Sequence, residues 1–372
     1  MSGPCSRLPR LLRYGLVSAG LGACLPAVSA AETIVGVAAP LSGSSSLLGE
    51  QVVRGARSAA QGDTTVTTAD TRCSADGGRD AAERFVASGA RVVVGFLCTE
   101  ALQAALPVLT QADIPVLAVG VRTSRITEAR EKTGYKVWRI APRSDAEARA
   151  IADTMIARWR AEPFGLVEDG SIANRGLTDT VRRLLADEGL EPAATDNYRP
   201  AEEKQFGLAR RLMRTGVTRF FMAGDRSDIA VIARDAAELG LGLEIIGGES
   251  LVDEASPDQP LAEGVTAVAP PLRHAAPAAD GSAAQDLRGY AGPAHAAMQI
   301  AQAAVSTLAG STIEERSLAD ILNEATFETL LGPVDFDANG DSDAVRYRAL
   351  RWNGEAFVPE AGEDAAPQEP PE

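Results

Sequence analysis

Thr33-Ile-Val-Gly-Val-Ala-Ala-Pro-Leu-Ser-Gly43 is a short uncharged run that ends in a proline, a serine and a glycine. Seven residues from Thr33 to Ala39 are too few for a stable helix. Their unbroken small and apolar character suits a strand covered on both faces, with Pro40 to Gly43 leading the chain into a loop. A helical pattern follows from Gly49 to Ala60, and the same alternation then repeats. Thr65 to Asp70 reads as a strand, Gly78 to Ser88 as a helix, Arg91 to Phe96 as a buried strand and Glu100 to Ala112 as a helix. Val116 to Val119 is the next strand-like run.

Further on come helix Asp145 to Ala161, strand Phe164 to Glu168, helix Gly176 to Glu188 and strand Ala193 to Tyr198. Helix Phe206 to Thr215, strand Arg219 to Ala223, helix Asp228 to Leu239 and strand Glu244 to Gly247 continue the period. Apolar strands separated by amphipathic helices imply parallel sheets covered on both sides. So many units exceed one comfortable sheet, so the expected fold is α/β with two doubly wound lobes. Past Gly289 the sequence predicts helices Ala291 to Leu308 and Leu318 to Ala325, a hairpin from Val334 to Phe336 and Tyr347 to Trp352, and a loop at His274 to Ser282. Residues 360–372 form an acidic, proline-rich tail expected to lack structure.

The first thirty residues have a different character. Arg7, Arg10 and Arg13 precede an uncharged stretch from Tyr14 to Ala23 and the small-residue site Val28-Ser29-Ala30, the pattern of a secretory signal cut after Ala30. Leu21-Gly22-Ala23-Cys24 offers the alternative of a lipoprotein anchored at Cys24. The chain carries a formal charge of −15, and removing the three arginines makes it more negative still. That excess disfavours nucleic acid and anionic lipid as partners. Cys73 and Cys98 remain beyond the signal. In an exported protein such a pair is expected to bond rather than persist as buried thiols, and closing this loop would contribute about 3 kcal/mol.

Catalytic signatures are sparse. His274 and His295 are the two histidines, neither beside an acid and a nucleophile in a known pattern, and there is no P-loop, H-E-x-x-H or C-x-x-C. The chain is therefore expected not to be an enzyme and to need no cofactor. Asp335-Phe-Asp-Ala-Asn-Gly-Asp-Ser-Asp343 begins like a calcium loop, but its twelfth position is Arg346 instead of glutamate. Asn339-Gly340 is a turn signal in its own right, and the turn outweighs a metal site.

Several motifs in one order resemble the periplasmic leucine/isoleucine/valine-binding family, type I solute-binding proteins of ABC transporters. They are Gly36-Val-Ala-Ala-Pro-Leu-Ser-Gly43 with Gly49-Glu50, Cys73 and Cys98, Gly95-Phe-Leu-Cys-Thr99, Gly247-Gly-Glu249, and Gly332-Pro-Val-Asp-Phe-Asp337 with Gly340-Asp341. The likeness runs from about Ile34 to Phe357 and is distant. It implies two lobes joined by three crossings near Ala141, Glu249 and Gly332. One lobe would hold 32–141 and 250–331, the other 142–249 and 332–358. It also implies a Cys73–Cys98 disulfide, a periplasmic monomer and an ABC permease as partner.

The resemblance further implies a ligand set. Thr99 opens a helix whose free N–H groups and dipole attract a carboxylate; read without the family it is an N-cap. Gly120 would add backbone contacts to that carboxylate, and Glu249, following a strand, would hold the ligand's ammonium group. Arg122, with Thr123 beside it, stands where the family has a small hydroxyl residue and could clamp a second acid, or pair with Asp225 across the empty cleft. Leu48, Ala173 and Asp225 fall where the family places aromatic side chains, so a departure from an aliphatic pocket toward a polar ligand is expected. The function expected on this basis is capture of an amino acid or related small polar solute. The alternatives are a sensor subunit of the same fold, and an exported hydrolase using Ser42, Ser44 or Thr99.

Overall fold

The computed structural model describes residues 33–252, 260–271, 273–277, 284–313 and 315–359. The expected signal at residues 1–30, with Cys24, and the tail at 360–372 lie outside the described residues. In chain order the first lobe begins β1 (Thr33–Ala39), α1 (Ser46–Ala59), β2 (Thr64–Asp70), α2 (Ala75–Ser88), β3 (Val92–Gly95), α3 (Thr99–Gln111), β4 (Val116–Ala118), α4 (Ser124–Glu128), α5 (Arg130–Thr133) and β5 (Val137–Arg139). Its five strands are all parallel, in the order β2-β1-β3-β4-β5.

The period of two explains why these strands read as unbroken apolar runs. Val35, Val37 and Ala39 of β1, with Val92 and Val94 of β3, enter one core, while Ala38 and Val93 enter the core on the opposite face. α2 and α3 cover the second face through Phe85, Leu102, Leu106 and Leu109. α1 covers the first face together with a helix from far along the chain.

The second lobe follows with α6 (Ala146–Trp159), β6 (Gly165–Glu168), α7 (Ile172–Asp187), β7 (Ala194–Asn197), α8 (Phe206–Thr215), β8 (Arg219–Ala223), α9 (Arg226–Glu238), β9 (Glu244–Gly247) and β10 (Thr266–Ala269). Next come a hairpin of β11 (Arg273–Ala276) and β12 (Gln285–Arg288), then α10 (Ala291–Ala309), α11 (Leu318–Glu324), and a second hairpin of β13 (Phe327–Thr329) and β14 (Gly332–Val334). β15 (Arg348–Trp352) and β16 (Phe357–Pro359) end the described fold. The second sheet has seven strands in the order β16-β15-β10-β9-β8-β6-β7. β15 runs antiparallel to β10 and β16 antiparallel to β15. Here too the faces alternate: Phe220 and Met222 of β8 join one core, Phe221 and Ala223 the other. Among the described residues no helix is long and apolar enough to cross a membrane.

The doubly wound, two-lobed α/β architecture is as the sequence predicts, but the lobe boundaries shift. β10 at 266–269 hydrogen-bonds to β9 in the second sheet, so the return to the first lobe comes after Ala269 and not near Glu249. Val334 and Phe336 are buried in the first lobe's core, so the last crossing lies beyond them and not at Gly332. The expected hairpin of 334–336 with 347–352 does not form. β14 pairs with β13 and β15 pairs with β10 and β16. His274 to Ala276, expected as loop, is strand β11.

α10 returns to the first lobe and closes its open face through Ala294, Ala297, Met298, Ile300 and Ala301. It can do so because Gly55 of α1 carries no side chain: a Cβ there would stand 2.0 Å from the Ala291 carbonyl oxygen. Cys73, just after β2, and Cys98, just before α3, form a disulfide with their Cα atoms 5.2 Å apart.

Two crossings are tied together by one ion pair. Arg139, at the end of β5, is 2 % exposed and Asp341 is 7 % exposed. Arg139 Nε and Nη2 lie 2.9 and 2.7 Å from Asp341 Oδ1. Arg143 Nη1 donates to Asp341 Oδ2 at 2.8 Å. The Arg139 amide donates to the Gly340 carbonyl, and the Ser342 amide returns to the Arg139 carbonyl. The stretch that resembled a calcium loop is thus a turn. Asp337 Oδ1 accepts from the Asn339 and Asp341 amides at 2.9 Å, and Asp341 is taken up by arginines.

Removing Asp341 would leave Arg139 as a buried, uncompensated charge. Asp341→Ala is expected to lower stability to denaturant by about 3–5 kcal/mol, and Arg139→Met with Asp341→Leu by less than that single change. An Asp341→Ala protein that unfolds at the wild-type midpoint would refute this role.

Candidate functional site

In parallel α/β sheets the loops at the C-terminal strand ends are where side chains can meet a ligand. In the first lobe β3 ends at Gly95, and the chain turns sharply at Phe96, which holds φ +59°. A left-handed conformation costs a non-glycine residue about 1 kcal/mol or more. The turn delivers Cys98 and Thr99 to the start of α3. Cys98, and not Thr99, takes the N-cap position, and no side chain caps this helix. The bond from the Leu102 amide to the Cys98 carbonyl, 3.1 Å, leaves the Thr99, Glu100 and Ala101 amides ahead of it, the end of a helix that favours an anion.

β4 ends into Val119-Gly120-Val121-Arg122-Thr123. Gly120 lies against two neighbours, since a Cβ there would be 2.5 Å from Leu97 and 3.1 Å from the Tyr290 ring. Its amide, expected to face a ligand carboxylate, donates to the Phe96 carbonyl at 3.2 Å. What Gly120 contributes is room. The Arg122 carbonyl accepts from Arg139 Nη1 at 2.8 Å and from the Ser144 amide at 2.8 Å, and the Thr123 carbonyl accepts from Arg139 Nη1 at 2.9 Å. The buried ion pair between the crossings therefore also fixes the backbone that carries Arg122.

Arg122 meets Glu249, the residue after the Gly247-Gly248 end of β9. Its Nη1 lies 2.5 Å from both carboxylate oxygens and donates to the Tyr347 hydroxyl at 2.8 Å. Tyr347 in turn donates to Glu249 Oε2 at 2.8 Å. Burial works against the Arg122 charge, but the Glu249 carboxylate more than offsets it and holds the guanidinium above its usual value. The suggested Arg122–Asp225 pair is absent; Glu249 takes the guanidinium, and Tyr347 bonds to both. Thr123 is half-buried, while Leu48, Ala173 and Asp225 are exposed at the first turns of α1, α7 and α9.

Three side chains of this cluster escaped the sequence reading. Glu147, in the first turn of α6, accepts from the Glu249 amide at 2.8 Å, and Gly248 makes space for it, because a Cβ there would be 2.3 Å from Glu147 Oε1. Burial first, and the Glu249 carboxylate second, push the Glu147 carboxyl up to about 7. Tyr347 and Tyr290 come from segments just before β15 and α10. No signal in the sequence marks these tyrosines, whereas Asp145-Ala-Glu147 at a helix start is a pattern that could have been singled out. The cluster has no nucleophile paired with a base, and among the described residues no group of three acids, histidines or cysteines could hold a metal ion.

A sequence profile of periplasmic binding proteins matches residues 33–356. A Leu/Ile/Val-binding protein homolog from Brucella abortus is 25 % identical over 355 residues, covering 89 % of this chain and 95 % of that protein. Among solved structures, a putative branched-chain amino acid ABC transporter protein from Rhodospirillum rubrum superposes with TM-score 0.69 at 18 % identity, over 88 % of this chain and 99 % of that one. A solute-binding protein from R. palustris in complex with 4-hydroxybenzoate gives TM-score 0.62 at 15 % identity, over 88 % and 95 %.

A carboxyl raised in the folded protein keeps its proton there after the unfolded chain has lost it, so stability falls as pH rises from about 4.5 to about 7. Glu147→Gln retains an acceptor for the Glu249 amide without the charge. It is expected to flatten that fall and to gain about 1–2 kcal/mol at pH 8. Melting curves between pH 4.5 and 8 read this directly, and unchanged pH dependence in the variant would exclude Glu147 as its source.

Proposed function

The chain belongs to the periplasmic binding protein family, and on that premise we propose that it is the extracytoplasmic solute-binding component of an ABC importer. Its solute is an amino acid or a closely related small molecule, bound between the two lobes without chemical change. An ABC permease is the partner this reading requires; no cofactor enters it.

The observation that carries the reading is the Arg122–Glu249–Tyr347 cluster, which joins a loop of the first lobe to a loop of the second at their strand ends. Arg122 spends only Nη1 on Glu249 and Tyr347. Nε and Nη2 are left to receive a carboxylate side-on, with the Thr99 hydroxyl and the start of α3 as further donors. The charges nearby favour an ammonium group on the same solute. Glu147 and Glu249 are two carboxylates against one guanidinium, and their mutual repulsion contributes to the raised Glu147 value. A solute cation beside them relieves that repulsion, which a simple aromatic acid would not do. Closing the lobes over such a zwitterion excludes water and strengthens each of these contacts.

The experiment is thermal melting of the exported chain against amino acids, hydroxybenzoates and dicarboxylates, because binding to the native state raises the midpoint. An amino acid is expected to raise it, and Glu249→Gln to weaken that affinity by roughly ten- to a hundredfold. A shift by hydroxybenzoates alone would keep the binding-protein reading and overturn the solute class. Undiminished affinity in Glu249→Gln would remove this residue from ammonium recognition.

A further inference from the structure

Within the cluster that joins the lobes, the two glutamates are served unequally. Glu249 has the Arg122 guanidinium, whose Nη1 lies 2.5 Å from both carboxylate oxygens, and the Tyr347 hydroxyl at 2.8 Å. Glu147 has one donor, the Glu249 amide, at 2.8 Å from Oε1. Among the described residues no cationic side chain is bonded to it. The arginines nearest in sequence are taken by Asp145, with Arg143 Nε at 3.1 Å from Oδ1 and Arg149 Nη2 at 3.0 Å from Oδ2.

The elements packed around Glu147 supply no further charge. A Cβ on Gly248 would stand 2.3 Å from Glu147 Oε1 and 3.7 Å from Leu177 Cδ2, so α7 offers this carboxyl an aliphatic neighbour. Arg175 of the same helix reaches Glu168 at 3.5 Å instead. β10, Thr266-Ala-Val-Ala269, carries no ionisable side chain. From the segment before β15 comes the Tyr347 phenol, already bonded to Glu249 and Arg122. The start of α6 favours an anion. Burial outweighs it, the Glu249 carboxylate adds to burial, and the more modest pull of Arg122 leaves the Glu147 carboxyl raised to about 7.

We infer that Glu147 is a proton-exchanging residue of the solute site: it keeps a proton while the site is empty and releases it when the solute's ammonium group reaches Glu249, so that capture strengthens as pH rises. This rests on the amino-acid reading above and adds to it the charge state in which the site accepts its solute. The O–H bond of the Glu147 carboxyl breaks, its electron pair stays on the carboxylate, and the proton passes to solvent water. The filled site then sets two carboxylates against two cations, guanidinium and ammonium, where the empty one has a single cation for both. The Glu249 amide bonded to Glu147 belongs to the residue that would take the ammonium, so the added cation arrives next to the carboxyl that must ionise.

Calorimetric titration of the full exported chain with leucine, glutamate, lysine and 4-hydroxybenzoate tests this. Each is run at pH 6, 7 and 8 in two buffers of different protonation enthalpy, which counts the protons exchanged. An amino acid that binds is expected to release most of a proton at pH 6 and little at pH 8, with affinity rising about tenfold between them. Glu147→Gln, which keeps the acceptor for the Glu249 amide and cannot ionise, is expected to abolish the release and to hold affinity near the wild-type value at pH 6. A role in packing alone would change affinity without changing the proton count. Binding of an amino acid without proton release overturns the inference and leaves the amino-acid reading standing, as does release that persists in Glu147→Gln. If no amino acid binds, whether or not 4-hydroxybenzoate does, the amino-acid reading falls and the inference with it.

Discussion

The Arg139–Asp341 pair is the constraint on which the rest of this molecule hangs. A guanidinium has five N–H donors in a fixed plane, and here they are distributed over Asp341, the Thr127 hydroxyl and the carbonyls of Arg122 and Thr123. Burial drags Arg139 below its usual value and Asp341 supplies the compensation. A lysine could not replace it, because three N–H donors on one nitrogen cannot make five bonds spread across the width of a planar fork. Through this residue the first crossing, the last crossing and the backbone that carries Arg122 share a single anchor.

The alternation of strand and helix was legible because each strand of the parallel sheets is buried on both faces, which leaves runs such as Val92 to Gly95 without a charge. The elements that were not legible are short or punctuated. Thr266 to Ala269 is four residues between Gly264 and Pro270, and β11 carries Arg273 and His274 in a hairpin that packs on one side only. The lobe boundaries went astray for the same reason, since an unseen strand cannot mark where the chain leaves a sheet. Of the residues that the resemblance implied, Arg122 and Glu249 are brought together by loops that follow strands β4 and β9. Glu147, Tyr290 and Tyr347 reach the same place from a helix start and two late segments, a convergence that only the folded chain creates. Arg122 had two available acids, and sequence order alone does not favour Glu249 over Asp225.

The two walls of the cleft differ in sign. The first lobe offers Arg122 and the start of α3, the second Glu147, Glu249 and the aspartates after β6 and β8. While water fills the gap these charges are solvated and interact weakly; as water leaves, their attraction grows with the falling local dielectric. Arg122 bonded to Glu249 is a contact of this kind, made by the protein with itself from one sheet's loop to the other's.

The place of α10 in the first lobe has a consequence for how the chain is made. Strands β1 to β5 are complete by Arg139, yet Val35, Val37, Val92 and Val94 face a helix that begins at Ala291. During synthesis from the N-terminus that apolar surface has only α1 for cover until more than 150 further residues have emerged, and the second sheet waits similarly for β15. The order of manufacture and the order of burial run in opposite directions, so neither lobe can finish as an independent early product and the nascent chain stays adhesive until it is nearly whole.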